Sequence, residues 1–131
     1  MTNTTLKADS QPNPDAAILA AWEKRAAAYA TYETLAEHTG DGPYSPEEQA
    51  QWDIIDMAEL LIRNVPAKTV RGAEIQLWCG FYHVVGAQAG ETNAALRADL
   101  EWFEARDDDL DWSEKLIVAS IRSLRAIGGA A

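Results

Sequence analysis

Cys79 and His83 stand four residues apart, a spacing that brings a thiol and an imidazole to one side of a helix. Thiolate plus imidazole is half of a zinc site, or the start of a cysteine nucleophile with its base. Either chemistry needs further groups, and the sequence supplies few. The only other histidine is His38, no Glu-x-x-His pair occurs, and no third residue can be picked out to orient a base. Cys79 therefore reads as a core residue and His83 as a helix-edge residue. A small ligand- or metal-binding bundle, or an enzyme, using the Cys79/His83 edge is the alternative. No cofactor is expected, and catalysis is disfavoured because no nucleophile, acid–base pair or metal set assembles.

Asp107-Asp108-Asp109-Leu110-Asp111 alternates acids as a calcium loop does. However, Trp112 occupies the place of the turn glycine and Val118 that of the bidentate glutamate, so calcium is not expected. Gly40-Asp41-Gly42-Pro43 lacks the Lys-Ser/Thr of a phosphate loop and reads as a turn. Arg63, Lys68 and Arg71 flank Pro66, where they are either helix-end charges or holders of an anion at the next helix's N-terminus.

Charge distribution is more informative. The chain carries a formal net charge of −10, which disfavours direct binding to nucleic acid or to an anionic membrane. Between Glu91 and Glu114 nine acids face two arginines, so seven of those ten negative charges fall in this stretch. Trp102 lies there, off the stripe formed by Leu96, Leu100 and Phe103. It either packs on a second neighbour or anchors a partner. Trp102, Asp107, Asp108, Asp109 and Asp111 are thus the candidate partner-binding residues, facing an unknown protein with a basic surface that nucleic acid would otherwise occupy. A solvated face that only aids solubility is the competing reading.

The elements that must position these groups are helical. The 131 residues suit one domain, and 47% hydrophobic with 24% charged is a globular balance. A single cysteine excludes an internal disulfide framework and fits a reducing cytoplasm. The polar N-terminus gives no signal-peptide pattern, and no run is long enough to span a bilayer. Residues 1–12 read as a disordered tail, 13–127 as one helical domain, and 128–131 as a frayed end.

Five segments show helical periodicity. The first starts at Asn13-Pro14-Asp15, presents Ile18, Trp22, Ala26, Tyr29, Tyr32 and Ala36, and ends before Gly40. Ser45-Pro46-Glu47-Glu48 opens the second as a capping box. Its apolar face is Ile54, Ile55, Ala58, Leu61, Ile62 and Val65, with Asp56, Glu59 and Arg63 opposite, and Pro66 stops it. Thr69 caps a third helix, running to about Gly86, which is apolar nearly all round and belongs in the middle of a bundle. Gly72, Gly80 and Gly86 within it suggest close neighbours. Thr92 or Asn93 opens the fourth, and Asp111-Trp112-Ser113-Glu114 opens the fifth, whose buried face is Leu116, Ile117, Ser120, Leu124 and Ile127. Each helix carries one tryptophan, most of them expected in the core. The expected fold is all-α, a compact bundle of four to five mostly antiparallel helices.

Glu59-Leu60-Leu61-Ile62, Pro66-Ala67-Lys68-Thr69-Val70-Arg71-Gly72 and Ala119-Ser120-Ile121-Arg122-Ser123-Leu124 together resemble a group of short, uncharacterised bacterial proteins often found near prophage genes. There a helix leads into Pro-Ala-x-Thr-x-x-Gly and a second helix. The likeness covers about residues 50–127 and departs at Gln76, where lysine is common in the group. It implies an all-helical protein of bacterial or phage origin and carries no activity to transfer.

Overall fold

The computed structural model describes residues 13–35, 43–85 and 90–129. The expected tail over 1–12, Ala36, His38, the Gly40-Asp41-Gly42 turn, Gly86 and the last two residues lie outside them. The described residues form helices and no strand: α1 (Ala16–Leu35), α2 (Pro46–Asn64), α3 (Val70–Val84), α4 (Glu91–Leu96), α5 (Leu100–Glu104) and α6 (Trp112–Gly129), with a 3-10 turn at Asp107–Asp109. The all-α expectation holds.

Local signals act where the sequence places them. The Ser45 amide donates to Glu48 Oε1 at 2.8 Å and the Glu48 amide to Ser45 Oγ at 3.1 Å. Asp111 and Glu114 close the matching box ahead of α6, at 3.1 and 2.8 Å. The Thr69 hydroxyl accepts from the Gly72 amide. The last helix continues through Gly129, two residues beyond the expected end of the folded part.

α3 is the central element. Its Ile75 and Cys79 join Ile18, Ala21, Ala58 and Ile62 in a core shared with α1 and α2. Its Trp78 and Phe81 join Ala95, Phe103, Val118 and Ile121 in a second core shared with α4, α5 and α6. A helix apolar on both sides is thus used on both sides.

Several sequence expectations are corrected. The fourth helix breaks in two, because Ala98 adopts a left-handed conformation (φ 56°) and Asp99 then caps α5 by accepting from the Trp102 amide. Leu96, Leu100 and Phe103 are nevertheless all buried. In α6 the buried residues are Val118 and Ile121, whereas Leu116, Ser120 and Ile127 are exposed. The helix has apolar residues on two sides, and Trp78 and Phe81 engage the other one. Ile54, Leu61 and Ala26 are exposed, because α1 and α2 pack through Ile18, Ala21, Ala58 and Ile62. Tyr82 is half-buried against the second core. Gly72 has the expected close neighbour, but around Gly80 a Cβ would meet nothing within 4 Å.

Candidate functional site

Two polar places bear on function. The first is an internal network that sequence periodicity does not reveal. Arg25, on the buried side of α1, is only 1% exposed. Its Nε donates to Glu59 Oε2 at 2.8 Å and its Nη1 to the Leu96 carbonyl at 3.1 Å. Its guanidinium lies 5.1 Å from the Trp22 ring and 5.5 Å from that of Tyr82. A charge so placed survives burial only when paired and hydrogen-bonded. Glu59 therefore does not simply share the solvent face of α2 with Asp56 and Arg63, where helical spacing puts it. It points inward to Arg25, and its other oxygen lies 2.7 Å from His83 Nε2.

This network borders a cleft of about 350 Å³ between α2 and α3, whose lining includes Glu59, Arg63, Gln76, Cys79 and His83. The structure thus brings Cys79 and His83 to one cleft. Burial pushes the Cys79 thiol up to about 11, the Arg25 charge offsetting part of the rise and Glu59 adding to it. A thiol held protonated is a weak nucleophile at neutral pH. Among the described residues no group of three or more His, Cys, Asp or Glu side chains is placed to hold a metal ion. Gln76 has a structural task, donating to the carbonyls of Ile62 (3.0 Å) and Val65 (2.7 Å) where α2 ends.

The N-terminus of α3, flanked by Lys68 and Arg71, does receive an anion, and the chain itself supplies it. Asp15 accepts from the backbone amides of Lys68 and Thr69, both at 2.8 Å, and from the Thr69 hydroxyl. The Thr69 hydroxyl, with the two amides and the nearby Lys68 charge, holds this carboxyl below its usual range although burial pulls the other way. Sequence spacing assigns Asp15 to the start of its own helix. Folding instead carries it to a helix start more than fifty residues away.

The second place is the acidic edge. After α5, Asp107, Asp108 and Asp109 form the exposed 3-10 turn, Leu110 turns into the core, and Asp111 caps α6. Lys115 reaches back to Asp107 at 3.9 Å, a distance at which an exposed pair contributes little. Trp102 is half-buried: its ring packs edge-on to Phe103 at 5.0 Å, it neighbours Gly90, and the Arg106 guanidinium covers it at 4.1 Å. It fills the second-neighbour role. The open indole at this edge is Trp112, 74% exposed, with exposed Leu116 one turn further along α6. Charge alternation and an aromatic count point to this region. Which tryptophan stands free depends on how α6 is rotated against α3.

No family model matches the chain, and comparison with curated proteins and with solved structures finds no match. Among the described residues no helix is long and apolar enough to cross a membrane.

Proposed function

We propose that this protein is a non-catalytic, acidic interaction protein of the bacterial cytoplasm, possessed by the cell or a resident phage, that docks a basic partner protein on residues 107–116. The observation that supports the reading best is Trp112, 74% exposed and following Asp111 directly in sequence, within five residues of the exposed Asp107, Asp108 and Asp109. Exposed carboxylates steer a basic surface into register, while a free indole beside them supplies the apolar anchor on which interface energies concentrate. A row of carboxylates on a rigid helical frame offers a nuclease or regulator what its basic face otherwise takes from phosphates.

The test is capture of partners from the native host on immobilised wild-type protein and on two variants. One carries Asn at Asp107, Asp108 and Asp109; the other is Trp112→Ala. Binding should weaken in both variants and fall steeply as salt rises through the physiological range, with melting nearly unchanged. A partner held equally well by the triple variant and in high salt would leave the acidic edge as a solubility face only.

A further inference from the structure

A surface groove lies away from the acidic edge. With a volume of about 860 Å³, it runs between α1 and α2 and shares no residue with 107–116. Its α1 wall is small, with Ala17, Ala20 and Ala27; its α2 wall bears Ile54, Met57 and Leu61. These three large apolar residues of the α2 wall are exposed, Met57 to 65%. Side chains of this kind rarely cluster on the surface of a chain that has no use for them.

Charge indicates the occupant. Among the described residues the ionisable ones lining the groove are Lys24 and Asp53, one of each sign. The two helices run antiparallel, since Arg25 bonds Glu59 while the Tyr32 ring packs 5.2 Å from that of Trp52. Lys24 therefore sits near the Leu61 end and Asp53 near the Thr31 end, about 10 Å apart at 1.5 Å per residue. A uniformly basic or acidic partner would meet one like charge here. A second copy with its helices reversed meets none, because each Lys24 then lies at the end where the other copy presents Asp53.

We propose that the α1/α2 groove is a self-association surface, on which a second copy of this chain docks in reversed orientation about a two-fold axis near Met57. The contact is isologous, so each copy contributes the same apolar wall and the same two charges. The alanine wall lets the paired helices approach closely, and the exposed apolar residues of α2 are covered.

Sedimentation equilibrium on the full chain over a wide concentration range tests this, with circular dichroism melts confirming that each variant folds. The wild type should form a dimer that persists in high salt. Met57→Asp, a change at an exposed position, should weaken it by about tenfold or more. Lys24→Asp and Asp53→Lys should each weaken it alone, and an equimolar mixture of the two should restore dimers, because every contact then pairs opposite signs. A wild type that stays monomeric throughout, or a dimer indifferent to Met57→Asp, overturns the surface. Failure of the mixed variants to recover overturns the reversed packing. A different protein captured by the wild type and lost with Met57→Asp, while the wild type remains monomeric, assigns the groove to that protein instead. These outcomes are separable from the acidic-edge reading, whose partner should be lost in salt.

Discussion

Two glycines on α3 make opposite predictions from one substitution. Alanine in a helix interior is favoured over glycine by about 1 kcal/mol, because glycine loses more backbone freedom on folding. At Gly80 a Cβ meets nothing within 4 Å. Gly80→Ala should therefore stabilise the protein by about 0.5–1 kcal/mol. At Gly72 the new Cβ would lie 2.2 Å from Asp15 Oδ2, 2.8 Å from its Cγ and 3.2 Å from Ala67 Cβ. The carboxylate cannot swing aside without leaving the two amides and the hydroxyl that hold it. Overpacking a filled site costs about 1–3 kcal/mol, and so deep an overlap belongs at the upper end. Subtracting the propensity gain leaves Gly72→Ala net destabilising by about 2 kcal/mol. At about 3 °C per kcal/mol for a chain of this size, Tm should fall by about 6 °C in one variant and rise by about 2–3 °C in the other. Thermal melts followed at 222 nm read both, and urea midpoints with unchanged slopes confirm that the native state has kept its compactness. A Gly72→Ala protein as stable as wild type would refute the close approach of α1 to the start of α3. A destabilised Gly80→Ala would refute the open surface at the cleft.

Arg25→Met should cost about 3 kcal/mol in urea unfolding, since it leaves the partly buried Glu59 carboxylate with His83 alone, and adding Glu59→Met should recover part of the loss; no recovery would show that Arg25 and Glu59 do not act as a pair. Asp15 has a folded pKa below its unfolded one, so its contribution to stability is fully present above the ordinary carboxylate range and is lost as pH falls through the folded value. The acid limb of the wild-type stability–pH curve should accordingly be steeper than that of Asp15→Asn, and superimposable limbs would contradict the Asp15–Thr69 contact. With its thiol pushed up from 9 to about 11, Cys79 should carry about 100-fold less thiolate than an ordinary thiol and label correspondingly slowly in the native protein at pH 8. Labelling as fast as that of a free thiol would place Cys79 at the surface.

What the sequence by itself determines here is what depends on neighbours a few residues away. The boxes at Ser45/Glu48 and Asp111/Glu114, the Thr69 cap and the stop at Pro66 are local contacts, satisfied within one helical turn, so their residue types and spacing suffice. The two-sided apolar pattern of α3 likewise announces its central position. Tertiary structure alone decided which face each amphipathic helix buries where more than one is apolar. Packing against Trp78 and Phe81 selects Val118 and Ile121 in α6 and leaves Trp112, Leu116 and Ile127 outside. It also decided the long-range polar contacts: Asp15 with Thr69 and Arg25 with Glu59 join residues 54 and 34 positions apart. The left-handed turn at Ala98 belongs to the same class, because alanine carries no signal for that conformation and Arg125, from α6, donates to its carbonyl. The energy of such pairs depends on burial, which exists only once the helices have docked.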